Sequence, residues 1–261
     1  MTNYQVITKT GFAQKSWKRN PDFLFASKDL ACPLGASELP RAAMGMPLAF
    51  LCNDGEYSVA GIQGLEDGSN CYLGAGGAWR GSYVPAAYRG YPFVLASNNA
   101  NKEELILCID TDSGLLNDDD SAEPFFGKDG ELSPTIAALT EFLTSVASAH
   151  KAAALICKSL LEHDLFMPWE LELELEDGKK RIEGLFCINE AALNELSDEA
   201  YAELRLAGAI PAIYCQLLSM QNISHLAQLA REQPNLDLAV QPDELHLDGV
   251  SSDGNISFDN F

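Results

Sequence analysis

At 261 residues the chain can bury a sizeable core, as one large domain or two small ones. Its 47% hydrophobic and 21% charged residues are ordinary for a globular protein, but its net charge of −21 is not. That charge argues against nucleic acid or an anionic membrane face as a partner, since both require clustered Lys and Arg. No window approaches the roughly 20 apolar residues of a membrane span, and residues 1–17 lack a signal-peptide run. A cytoplasmic protein with no membrane insertion is expected. The cysteines (32, 52, 71, 108, 157, 187 and 215) are odd in number, form no CxxC and sit mostly in apolar runs such as LILCI and AIYCQLL. They predict reduced, buried thiols.

Residues 1–30 mix short apolar pieces with the one basic patch, KSWKR, which is expected to dock on the protein's own acidic body. Residues 34–52 read as a short helical turn ending near Pro47, then a strand over 48–52. Asn53-Asp54-Gly55 is a turn signal, with 57–62 as the return strand of a hairpin. A short strand is expected over 70–73 and a turn over 74–77. The unbroken apolar run 105–109 predicts a strand buried on both faces, and 110–130 an acidic loop. Ser133 and Pro134 then supply an N-cap and a favoured first-turn proline. Ile136, Leu139, Leu143, Val146, His150, Ala153, Cys157 and Leu160 recur at three–four spacing. They predict an amphipathic helix of about seven turns, closed by Glu162-His163-Asp164.

Residues 169–175 alternate strictly, with Trp and three Leu on one face and Glu170, Glu172 and Glu174 on the other. Asp177-Gly178 reads as a two-residue turn and 179–188 as the returning strand, a register that sets Glu176 against Lys179 and Glu174 against Arg181. The acidic face reads as a solvated edge rather than a metal site. Asn189 and Ser197 are candidate N-caps for helices over 190–195 and 198–206, with Gly208 as a C-terminal stop. An apolar helix over 211–220 and an amphipathic one over 223–231 follow. Residues 233–261 lose periodicity and, by composition, form an acidic, weakly structured tail.

The most concentrated stretch is 78–96, AWRGSYVPAAYRGYPFVLA, which holds one Trp, three Tyr, one Phe, two Pro and two Arg. Pro85 and Pro92 forbid a continuous helix across it. As structure, Tyr83, Tyr88, Tyr91 and Phe93 fill a core against the long helix. As function, Trp79, Arg80, Tyr83, Tyr88, Arg89 and Tyr91 form a concave aromatic–Arg surface for a planar group or a peptide.

That block resembles the SapC family of bacterial proteins, as do ELPRAAMGMPLAF (38–50), LCID (107–110), LEDGKKRIEGLFCIN (175–189) and YCQLLSMQN (214–222). The similarity runs in order over roughly residues 35–230. It implies a bacterial protein of the kind often encoded beside flavin-dependent tryptophan halogenases and TonB-dependent receptors. The family name also implies a surface-layer association. It brings no catalytic residues with it.

Other motifs carry bland readings. The strand ending in Asp110-Thr111-Asp112 has the look of a phosphotransferase nucleophile pair, or of a metal loop. Gly114 stands where that class wants Thr or Val, however, and Ser121 stands where a calcium loop wants Glu. Asp110 and Asp112 therefore remain weak metal candidates, with an acidic capping loop the favoured reading. Leu73-Gly74-Ala75-Gly76-Gly77 reads as a turn rather than a phosphate cradle. His150, His163, His225 and His246 lack metal-ligand spacing, and His150 is expected as a hydrogen-bonded core residue. No serine lies in a GxSxG context, and Ser219 is expected to bond a helix end.

These readings converge on one α+β domain over 1–232, an antiparallel β-rich N-terminal half packed on a helical C-terminal half with a β-hairpin at 169–188. No cofactor and no catalytic residue is expected. The leading function is a non-catalytic binding or accessory protein that recognises a peptide or protein partner through the aromatic–Arg block. The alternatives are a metal-dependent enzyme at Asp110/Asp112 and a surface-layer protein.

Overall fold

A computed structural model describes residues 3–65, 68–97, 105–119, 122–175 and 178–232, with the side chains of 173–175 and 178–180 outside that description. The acidic tail 233–261 lies outside the described residues. In chain order the first elements are β1 (Tyr4–Val6), α1 (Lys9–Phe12), β2 (Ser16–Trp17), β3 (Ala31–Pro33), α2 (Leu39–Ala42), β4 (Leu48–Asn53) and β5 (Glu56–Ile62). Next come α3 (Ala86–Arg89), β6 (Phe93–Ser97), β7 (Leu105–Asp110), β8 (Leu116–Asn117), β9 (Glu123–Pro124) and α4 (Pro134–Glu162). The chain continues with β10 (Phe166–Pro168), β11 (Leu171–Leu175), β12 (Gly178–Ile182) and β13 (Leu185–Ile188). It then becomes helical as α5 (Glu190–Asn194), α6 (Asp198–Leu206), α7 (Ala209–Ser219) and α8 (Ile223–Arg231). Antiparallel sheets in the first half and helices in the second make this an α+β protein.

The chain divides into two compact units, one of Met1–Pro21 with Ala86–Ser148 and the other of Asp22–Pro85 with Ala149–Phe261. In the first, β7 is the centre of the sheet β1-β7-β6, with Tyr4 opposite Asp110 and Phe93 opposite Ile109. Only the Cys108–Asp110 end of β7 is buried and Leu105 is 41% exposed, so burial on both faces is confined to one end of the apolar run. The expected acidic loop is not all loop. It supplies β8 and β9, which flank β2 in a second small sheet. The basic patch does dock on its own unit, through Lys15 to Asp118 at 2.8 Å and Arg19 to Glu123 at 2.9 Å.

The core of this unit is Phe12, Trp17, Phe93, Ile109, Phe125, Ile136 and Leu143. Trp17 meets Phe93 edge-on at 4.8 Å and Phe12 meets Phe125 at 5.0 Å, geometries that suit the ring quadrupole. Ile136 and Leu143 come from α4, whose 29 residues start where Ser133 Oγ accepts a hydrogen bond from the Ile136 amide at 3.4 Å. A Cβ on Gly90 would meet the Leu143 Cδ2 methyl at 2.7 Å, so a side chain here would require Leu143 to shift.

The second unit is built on the five-stranded antiparallel sheet β10-β13-β4-β5-β3. The β4–β5 hairpin closes through Asp54 and Gly55 at φ 50° and 83°, both left-handed as a two-residue I′ turn requires. The strand expected over 70–73 is a single bridge from Leu73 to Trp79. Asn189 and Ser197 cap α5 and α6 through the amides of Ala192 and Ala200, and Gly208 follows α6 at φ 74°. Helix α7 starts two residues earlier than expected, with Pro211 in its first turn, where a missing donor costs nothing.

The 169–188 stretch needs correction. The strand ladder pairs Leu175 with Gly178, Glu174 with Lys179 and Glu172 with Arg181, two residues out of the expected register. Residues 176 and 177 lie outside the described residues. The observed pairing sets Leu171 opposite Ile182, and both are buried; the expected one would have put Gly184 against Leu171. Apolar cross-strand packing thus outweighs the Asp-Gly turn signal. The return strand also breaks at Gly184 (φ 79°), and β13 pairs instead with β10 and β4.

Candidate functional site

The aromatic–Arg block falls across the boundary between the units, with Trp79, Arg80 and Tyr83 in the second and Tyr88, Arg89 and Tyr91 in the first. In the second unit Trp79 stacks on Tyr72 at 5.4 Å and 14° and meets Phe23 edge-on at 5.8 Å. Its indole Nε1 donates to the Tyr83 carbonyl at 2.8 Å, which folds 79–83 into a tight loop. The Tyr83 hydroxyl donates to Glu38 Oε1 at 2.8 Å, and Glu38 Oε2 accepts from the Gly35 amide at 2.9 Å. Glu38 is buried, and these two bonds offset the desolvation of its carboxylate. Arg80 Nη2 pairs with Glu232 at 2.6 Å. The Glu232 carboxyl is held below its usual range by its hydrogen bond from Gln228 and, secondarily, by Arg80.

In the first unit Tyr88 is buried within α3, and Arg89 is exposed with its guanidinium 5.1 Å from the Phe142 ring centroid. Tyr91 is half-buried and joined to Pro92 by a cis peptide. Burial, and then the nearby charge of Asp110, push the Tyr91 phenol up, and the same two causes raise Tyr4. Within their own units the rings of Trp79, Tyr83 and Tyr88 thus serve packing, and Arg89 keeps its polar end at the surface.

Asp110 is 2% exposed, and its Oδ1 accepts from the Asp112 amide at 3.0 Å, capping a short 3-10 turn. Ser113 Oγ donates back to the Asp110 carbonyl at 2.6 Å. Among the described residues no three His, Cys, Asp or Glu side chains stand close enough to share a metal ion. His163 lies 3.4 Å from Glu203. His150 is half-buried rather than a buried core residue, and its side chain has no hydrogen-bond partner among the described residues, which corrects the bonded core histidine expected there. Burial pushes the Cys157 thiol up to about 12 and raises Cys108, Cys187 and Cys215 in the same direction.

Ser219 bonds a helix end as expected, but the clasp of α7 to the sheet and the exposure of its outer face left no mark in the sequence reading. Its inner face is clasped to the sheet: Gln216 accepts from the Ile188 amide at 3.0 Å and donates to the Leu48 carbonyl at 3.2 Å. Ser219 Oγ completes the clasp by accepting from the Leu48 amide at 2.9 Å while bonding the helix carbonyl of Gln216 at 2.7 Å. The outer face exposes Tyr214 (49%) and Leu218 (65%). The signal for this face was present in AIPAIYCQLLS, a helix with no charged residue on any side.

A protein-family model described as SapC matches residues 7–226, and the chain belongs to the SapC family. The match begins well before the segment around residue 35 where the resemblance was legible by motif. No curated protein and no solved structure matches the chain. Among the described residues no helix is long and apolar enough to cross a membrane.

Proposed function

We propose that this chain is a bacterial binding or accessory protein that acts in the cytoplasm and recognises a peptide or another protein. The observation that carries this reading is the outer face of α7, where Tyr214 and Leu218 stand in solvent on a helix whose inner face already fills the core. A helix apolar all round is stable when both faces are covered, so an exposed one marks a surface that receives a partner. The aromatic–Arg block offers further candidate contacts within each unit taken by itself, Arg89 and the half-buried Tyr91 in the first and the half-buried rings of Trp79 and Tyr83 in the second, suited to a planar or carboxylate-bearing group. The family resemblance adds a context, a system linked to a flavin-dependent halogenase.

The test is affinity purification of the tagged full chain from its native host, alongside Tyr214→Glu/Leu218→Glu and Trp79→Ala/Arg89→Ala variants of verified fold. A partner held by wild type and lost from the first variant supports the reading through α7, and loss from the second assigns the block. A partner retained by both variants, or none retained by wild type, defeats it.

A further inference from the structure

A groove of about 670 Å³ lies in the second unit between the β10 edge and the end of α7. Its apolar lining includes Met167, Trp169, Leu217 and Met220, and Met167 is 41% exposed. The charged residues that line it are Glu170 and Glu190, with no Lys or Arg among them. Arg181 approaches Glu170 at 3.7 Å, but its Nε is engaged by Glu183 at 3.2 Å. Leu217 of α7 lines the groove, whereas the exposed Tyr214 and Leu218 are not among its lining residues.

We propose that this groove receives a cationic amphipathic helix of a partner protein, its apolar side against Met167, Leu217 and Met220 and its Lys or Arg side chains against Glu170 and Glu190. The inference rests on the binding reading above and names the chemistry of the partner. Methionine suits such a groove because its unbranched, polarizable side chain repacks around varied apolar shapes. Helix-in-groove recognition uses anchors spaced three and four residues apart, which places the partner's charges along the rim. Charge selects the sign: two rim carboxylates on a chain of net charge −21 attract a basic segment. A second copy of this chain would bring another −21 to the interface and is disfavoured for the same reason.

The probe is a fluorescent 14-residue Leu/Lys peptide of helical pattern, with one Leu replaced by a benzophenone residue for photocrosslinking to the full-length protein. A Leu/Glu peptide and a Ser/Lys peptide of equal length serve as comparisons. The Leu/Lys peptide is expected to bind and to crosslink at Met167 or Met220. Glu170→Gln/Glu190→Gln and Met167→Gln should each weaken it at least fivefold, while Met44→Gln, at a methionine elsewhere that is more exposed still (81% against 41%), should not. Absence of binding, equal binding of either comparison peptide, or crosslinks confined to other surfaces would overturn the inference. Those outcomes leave the α7-dependent partner of the purification experiment standing, so the two readings fail separately.

Discussion

The two units solve the problem of a stable core in different ways. The first buries a small cluster in which Phe12, Trp17, Phe93 and Phe125 are four of the seven members. The second buries a large, mainly aliphatic cluster, with Phe50, Tyr72 and Trp169 as its buried aromatics. A small unit gains enough apolar area by using rings that bury about 150–250 Å² each. A large one reaches the same end with many Leu, Ile and Ala, and has room to enclose polar clasps such as Gln216 and Glu38. Stability in the first unit therefore depends on a few large side chains, and in the second on many aliphatic contacts supplemented by bonds to buried backbone.

The sharpest test sets one ring against one aliphatic. Phe125→Ala removes a fully buried ring that touches both Phe12 and Phe93, and should cost about 4 kcal/mol by urea denaturation. Leu48→Ala in the larger core should cost about 3 kcal/mol. A smaller loss for Phe125 than for Leu48 would break the contrast. Gln216→Leu comes next, at about 3 kcal/mol, because it orphans the Ile188 amide and the Leu48 carbonyl in a dry interior. An effect under about 1 kcal/mol would show that the clasp is dispensable.

How far the chain was readable follows from the range of each interaction. The Ser133, Asn189 and Ser197 caps, the Asp54-Gly55 turn and the stripe on α4 are local, and their spacing in the sequence announces them. The Gln216 clasp joins residues 168 apart, and the Tyr83–Glu38 bond spans 45, so neither leaves a spacing to find. The division into units is equally hidden, since each is assembled from two separate segments that meet only in three dimensions. The hairpin register was misread because a turn signal was weighed above the pairing of Leu171 with Ile182. The candidate contact residues were legible as unusual composition, but which of their polar ends are occupied depends on Glu38 and Glu232, far off in sequence.

A third effect is linked to pH and is largest in the bigger core, where the thiol shift is greatest. Cys157 keeps its proton to about pH 12 in the folded chain, against about 9 for an ordinary thiol. Above pH 9 the unfolded chain releases that proton while the folded chain holds it, so stability is intact below 9 and declines up to about 12. The slope is about 1.4 kcal/mol per pH unit from this thiol. Tyr72, raised by burial, adds loss in the same direction. Urea midpoints measured from pH 8 to 11 should fall less steeply in Cys157→Ala, and equal slopes would remove the thiol as a cause.

The smallest effects concern the block itself, and they separate packing from surface. Tyr83→Phe keeps the ring but takes a donor from the buried Glu38 carboxylate, so it should cost about 1.5 kcal/mol. Arg80→Ala breaks a pair with Glu232 that is open to solvent on the Glu232 side, where screening is strong, and should cost less than the loss of the Glu38 bond, falling further in high salt. A Tyr83 effect several times the Arg80 effect means that Tyr83 is anchored inside the second unit by its buried carboxylate partner, while the half-buried Arg80 can change partners at little cost to the fold. If the two substitutions cost the same, the Glu38 bond contributes no more than an exposed ion pair, and the rings would then be as available for binding as the guanidinium.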